Sequence, residues 1–195
     1  VDVEIIVTTW GSDEWSERGR VTAKYHSAWH LHEADPAASA GAARNHAVRD
    51  VDPQGWICFL DADDELDGDY LDAMKAAVNH DQQLLTPALA LGDRAPECYT
   101  QRDIVHGMNP CPIGTLIHRS MFDAVGGFWD EPAWEDWSLF RRAVLAGAEI
   151  KFVPDAIYNA AFDPNGRNST IPHPHQLRLQ IIGSHDRWLR QRGKT

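Results

Sequence analysis

Residues 56–66 read Trp56-Ile57-Cys58-Phe59-Leu60-Asp61-Ala62-Asp63-Asp64-Glu65-Leu66, and the two halves of this stretch differ sharply in character. Ile57, Cys58, Phe59 and Leu60 form an unbroken apolar run behind Gly55 and Trp56, with no polar alternation to mark a wet side. That is the pattern of a strand buried on both faces. The run then ends in carboxylates. In an open α/β sheet, ligands sit beyond the carboxyl ends of the strands, so Asp61, Asp63 and Asp64 are expected to emerge where a substrate or cofactor is held. Carboxylates crowded at the end of an apolar strand repel one another, and a divalent cation with oxygen ligands relieves that repulsion. A metal site is therefore expected here.

Three other readings compete with it. A solvated acidic turn before a helix is the plain alternative, because Asp and Glu favour helix N-termini. A calcium loop starting at Asp63 puts Glu65, Asp67, Gly68 and Asp69 in tolerable places, but Met74 falls where the closing bidentate Glu is required. A phosphatase-like aspartyl nucleophile at Asp61 would also follow a buried strand. Glu65 and Leu66 stand after the carboxylates, however, where that pattern has a hydroxyl residue.

The 195 residues suffice for one substantial core and leave little room for a second domain. A net charge of −11 argues against a surface built mainly to grip nucleic acid through its phosphates. No apolar run approaches the ~20 residues needed to cross a bilayer, and no basic start with an apolar signal stretch is seen. Cys58, Cys98 and Cys111 are odd in number and widely spaced, which fits a reducing compartment. A cytoplasmic location is the expectation. Among eight tryptophans, Trp134 and Trp137 flank acidic residues, an arrangement frequent in sugar binding as well as in plain packing.

Working outward, residues 3–9 are rich in β-branched types and predict a first buried strand. Ser12 or Asp13 caps a predicted helix through about residue 28, and residues 29–33 predict a short second strand. Asp35-Pro36 forces a turn before an Ala-rich helix over 37–48 that carries Arg44 and Asn45. Beyond the central strand, apolar residues at 70, 71, 74, 77 and 78 predict a helix over 69–80. Strand, helix, strand, helix, strand, helix is the order of a parallel sheet with helices on its faces. The half contains neither a G-x-x-x-x-G-K-[ST] loop nor a G-x-G-x-x-G turn, so phosphate would be held another way, the metal being the candidate.

The second half is less regular. Strands are expected over 84–91, 97–105 and 114–118, with a turn over 92–96, a loop over 107–112, and a short helix from Ser120 to Gly126-Gly127. A helix over 136–146 follows, then strands at 150–153 and 156–162 and a loop over 163–175. A last helix over about 176–191 is expected to dock its apolar side on the domain, although basic amphipathic helices also lie on anionic membranes. No internal repeat and no linker divides the chain. It is expected to be one domain, with a nucleotide-sugar half over about 1–92, an acceptor and catalytic-base half over about 93–173, and the C-terminal helix over 174–195.

Five segments together resemble the family 2 glycosyltransferases of the GT-A fold. They are Thr8-Thr9-Trp10 after the first strand, Ala42-Ala43-Arg44-Asn45, the D-x-D-like Asp61-Ala62-Asp63-Asp64, Gly126-Gly127-Phe128, and Glu135-Asp136 with Leu139 and Arg142 behind it. They occur in the family's order between residues 3 and 162. The resemblance implies an inverting, metal-dependent enzyme that moves a sugar from a nucleoside-diphosphate sugar, expected to be a UDP-sugar, to an acceptor hydroxyl. It further implies that Thr8, Thr9 and Trp10 lie beside the base, that Arg44 lines the donor pocket, and that Asp61, with Ala62 beside it, contacts the ribose. Asp63 would hold Mn²⁺ or Mg²⁺, completed by His173 or His175. Asp136 would be the catalytic base, with Glu135 next to it. Relatives commonly end the second strand in Asp-Asp-Gly-Ser, whereas this chain has Trp29-His30-Leu31-His32-Glu33-Ala34-Asp35, so Glu33 or Asp35 is expected to substitute.

The chemistry agrees with that resemblance. Sugar transfer needs charge stabilisation on the leaving diphosphate and a base for the acceptor proton on the opposite face. A nucleotidyltransferase would call for a basic, Gly-rich loop after the first strand, and Gly11-Ser12-Asp13-Glu14 is acidic. A silent nucleotide- or sugar-binding module would have no need of Asp61, Asp63 and Asp136 together. The acceptor is not legible; it would meet the second half, near 107–112 and Trp134 or Trp137, and glycan, lipid-linked sugar, protein and modified base all stay open.

Overall fold

The structure, a computed structural model, describes residues 1–33, 35, 39–91, 104, 105, 107, 109, 111–161, 163, 164 and 169–193. Strand β1 (Val3–Trp10) lies between β2 (Trp29–Glu33) and β3 (Trp56–Leu60) and runs parallel to both. Every residue of β3 is buried, as its unbroken apolar run requires. The sheet continues through β6 (Leu116–His118), β5 (Gln83–Leu91), β7 (Glu149–Ala160) and β4 (Glu65–Leu66), in the order β2-β1-β3-β6-β5-β7-β4. Strand β6 is antiparallel to both neighbours, so the sheet is mixed: long parallel ladders are joined by short antiparallel ones.

Helices end where local chemistry dictates. Helix α1 (Asp13–Tyr25) stops three residues before its expected end because Ser27 turns left-handed (φ 51°) and Ala28 N–H bonds the Ala23 carbonyl at 2.8 Å. Helix α2 (Ala40–Ala47) starts late because the Ser39 side chain accepts from Ala42 N–H and caps it there. Helices α3 (Tyr70–Ala77), α4 (Arg119–Ala124), α5 (Glu135–Leu145) and α6 (Pro174–Arg192) follow. Leu177 and Ile181 of α6 are buried in the core, so the helix docks as expected, while Leu179 and Leu189 face outward. Among the described residues no helix is long and apolar enough to cross a membrane.

Two expected breaks differ. Residues 150–153 and 156–160 belong to one strand, β7, whose pairing jumps from Val153 opposite Pro87 to Ile157 opposite Ala88. The intervening residues bulge, which accommodates Pro154 without a ladder hydrogen bond. The expected turn at 92–96 and most of the expected strand at 97–105 lie outside the described residues. Ile104 and Val105 are helical rather than extended, and their carbonyls take the Trp137 indole N–H (3.2 Å) and Arg141 Nε (3.3 Å).

Candidate functional site

The turn after β3 is held from three sides. Asp64 N–H bonds the Asp61 carbonyl (3.1 Å), and Thr22 of α1 donates to the Ala62 carbonyl (2.8 Å). Tyr158 of β7 donates to Asp64 Oδ2 (2.5 Å) and accepts from Asp61 N–H (3.4 Å). Gly114 leaves room for that tyrosine, since a Cβ there would lie 2.2 Å from its ring. Burial, then the Asp61 charge, raises the Asp63 pKa; the same causes push Asp64 up to about 7.

Beside this turn is a cavity of about 220 Å³ lined by Thr8, Thr9, Trp10, Trp15, Arg44, Asp61, Ala62 and Asp63. Thr8, Thr9, Trp10, Arg44, Asp61 and Ala62, all expected at the donor nucleotide, thus line one space. Trp15, in the first turn of α1, is the member that sequence reading missed; its signal was a large aromatic five residues beyond Trp10 that remains 42% exposed on an otherwise polar helix. Glu33 does not line the cavity. Its carboxylate takes Asp35 N–H (3.3 Å) and pairs with His46 (3.2 Å).

Arg44 joins the cavity to the other half of the chain. Its guanidinium is buried and donates to Asp61 Oδ1 (2.5 Å) and Glu135 Oε1 (2.8 Å). Burial opposes its charge, but the two carboxylates outweigh burial and raise its pKa. The next residue repeats the connection: Asn45 donates to the Phe128 carbonyl (2.8 Å) and accepts from Phe128 N–H (2.9 Å). This contact needs Gly127, left-handed at φ 62°, where a Cβ would lie 2.5 Å from Asn45 Oδ1. Arg142, fully buried, donates to the Val125 and Gly127 carbonyls and lies over the Trp129 ring at 4.2 Å. All five segments singled out in the sequence therefore belong to one connected assembly.

Asp136 stands at the start of α5, half-buried, accepting from its neighbour Trp137 N–H (2.7 Å) and from Asn109 Nδ2 (2.9 Å). Burial, then the Glu135 charge, raises its pKa to about 6. Trp134 precedes the helix in a left-handed conformation (φ 60°), half-buried, with Arg178 over its ring at 5.7 Å. Trp137 is 2% exposed, its indole N–H committed to Ile104, so it is a core residue with no face for a sugar. His173 and His175 are exposed at the start of α6. His173 lines a separate groove with Pro132 and Ala133, and neither histidine lines the cavity that holds Asp63.

Among the described residues no three His, Cys, Asp or Glu side chains gather as a metal cage. The donor set nonetheless suits a cation bound with its substrate. Mg²⁺-type sites use one or two carboxylates plus phosphate oxygens, and Asp61 and Asp63 share the cavity wall, where the Asp61 charge helps to raise the Asp63 pKa.

No protein-family model and no curated protein sequence matches the chain. Solved structures do. S. aureus TarS 1–349 superposes with a TM-score of 0.62 and 16% identity, over 93% of this chain and 69% of that one. GalNAc-T7, solved with UDP, GalNAc and Mn²⁺, gives 0.64 and 9%, over 94% and 48%. The mannosyltransferase PcManGT from Pyrobaculum calidifontis, with GDP-Man and Mn²⁺, gives 0.57 and 16%, over 94% and 62%. This chain thus spans about half to two thirds of the length of these proteins, and it has the α/β fold of the GT-A glycosyltransferases.

Proposed function

We propose that the chain is a metal-dependent inverting glycosyltransferase that moves a sugar from a nucleoside-diphosphate sugar, with UDP the first nucleotide to test, to an acceptor hydroxyl. The observation that carries this reading is the buried Arg44, which ties Asp61 in the wall of the cavity to Glu135 beside Asp136. A group that binds a donor and a group that takes a proton are thereby held in fixed relation, which is what an in-line displacement requires. Thr8, Thr9, Trp10 and Arg44 would receive the nucleoside, with Asp61 at the ribose. Asp63 would hold a divalent cation that neutralises charge on the leaving diphosphate. Asp136 would take the acceptor proton; a carboxylate with a pKa near 6 is ionised at neutral pH yet more basic than an ordinary one.

The test is turnover of a panel of nucleotide sugars with Mn²⁺, with Mg²⁺ and with chelator, the anomeric configuration of the product being read by NMR. Asp136→Asn is expected to lower turnover by about 10²- to 10⁴-fold and to leave donor affinity nearly intact. Retained turnover, or lost nucleotide binding, would refute the assignment of Asp136.

A further inference from the structure

The cavity that we read as the donor site lacks an obvious partner for phosphate. Among its described lining residues Arg44 is the one cation, and its guanidinium is buried between Asp61 and Glu135. A more open groove of about 470 Å³ adjoins the cavity, and the two share Ala62 and Asp63 in their walls. On the far side of Asp63 this groove is lined by Arg18, Thr22, Asp64 and Asn159. Among the described residues Arg18 is the one cation there too, and it forms no salt bridge with any of them.

Its position is fixed by α1. Trp15, Arg18 and Thr22 recur at helical spacing and share one face: Trp15 lines the cavity, Thr22 bonds the Ala62 carbonyl (2.8 Å), and Arg18 lies between them with its guanidinium 5.3 Å from the centre of the Trp15 ring. Stacking on an indole orients a guanidinium and leaves its N–H edge free to donate. We propose that Arg18 is the phosphate-binding residue of this site, donating to the diphosphate of a nucleotide that crosses from the cavity into the groove at Asp63.

The inference rests on the donor-site reading, and one experiment separates them. Uridine, UMP and UDP, and the guanosine series, are titrated calorimetrically in excess Mn²⁺ against wild type, Arg18→Gln and Arg18→Lys. A charge-assisted hydrogen bond to phosphate predicts that Arg18→Gln weakens the diphosphate by roughly 10- to 100-fold and leaves the nucleoside unchanged, with Arg18→Lys in between. Equal weakening of nucleoside and diphosphate would mean that Arg18 only supports Trp15, and an unchanged diphosphate affinity would mean that it touches nothing; either overturns the proposal. Wild type that binds none of the six compounds would refute the donor site itself, and this inference with it.

Discussion

Replacing Arg44 with Met should be among the most damaging single changes in the chain. The guanidinium donates to Glu135, whose side chain is only 4% exposed, and to Asp61, whose side chain is 38% exposed. Water screens Asp61, so little of the cost arises there. Glu135 would instead be left as a buried carboxylate without its guanidinium, and removing one partner of a buried pair typically costs about 3–5 kcal/mol. In a chain of this size each kcal/mol lowers the melting temperature by roughly 2–4 °C, so a drop of about 6–20 °C is expected. Thermal and urea unfolding at pH 7 would read it. The diagnostic comparison is the double variant Arg44→Met/Glu135→Gln. If the loss comes from the stranded charge, removing that charge restores stability, and the double variant melts above Arg44→Met alone. A double variant no more stable than the single, or a single-variant loss below about 1 kcal/mol, would refute the reasoning, because only a buried ion pair makes the second substitution beneficial.

Turnover should fall about tenfold per pH unit below the Asp136 pKa of about 6, since the base must be ionised; the residual activity of Asp136→Asn should lack this limb, which distinguishes it from titration of Asp64. His185, buried between Arg141 Nη1 (2.9 Å) and the Ser138 hydroxyl (3.0 Å), is held down to about 3 by burial and then by Arg141 and Arg142. The unfolded chain takes up that proton near the ordinary value of 6.5, so stability is full above pH 6.5 and declines as pH falls toward 3, by about 1.4 kcal/mol per unit at most; unfolding of His185→Asn should show a shallower decline over this window. Gly127→Ala should cost about 2–5 kcal/mol, from the left-handed backbone and the contact with Asn45, and equilibrium unfolding would reveal it; a loss below 1 kcal/mol would show that the turn adapts.

The central stretch was legible because burial on both faces leaves a signature in composition, and β3 with its carboxylate turn lies where the apolar run and the acidic residues place it. Strand β2 was equally plain. Strand β4 was not: two residues, Glu65 and Leu66, have no periodicity, and they are a strand only because Asn159 and Tyr158 lie opposite them. The antiparallel insertion of β6 between β3 and β5 is likewise a fact of long-range pairing, which hydrophobic pattern does not encode. Trp137 shows a signal misjudged rather than missing. It precedes Phe140 and Val144 by three and seven residues, the spacing of a buried helical face, and that periodicity pointed to the core more strongly than the neighbouring carboxylates pointed to a sugar.

The candidate site follows the same division. Thr8, Trp10, Asp61 and Asp63 were readable because each lies at or just beyond the carboxyl end of β1 or β3, and the ends of parallel strands share one edge of the sheet whatever the loops do. The pairing of Arg44 with Glu135, 91 residues apart, was not readable, since nothing in the sequence says which carboxylate will be buried against that arginine. On the proposed function this pair would make the two halves one site: Asp61 would mark where a donor lies, Asp136 where a proton goes, and the buried guanidinium bonds Asp61 and the neighbour of Asp136 together. Arg18 differs in kind. The role proposed for it follows from Arg44 being held between Asp61 and Glu135, so that a phosphate arriving at Asp63 would need a further cation, and the groove beyond Asp63 offers Arg18, already oriented on Trp15.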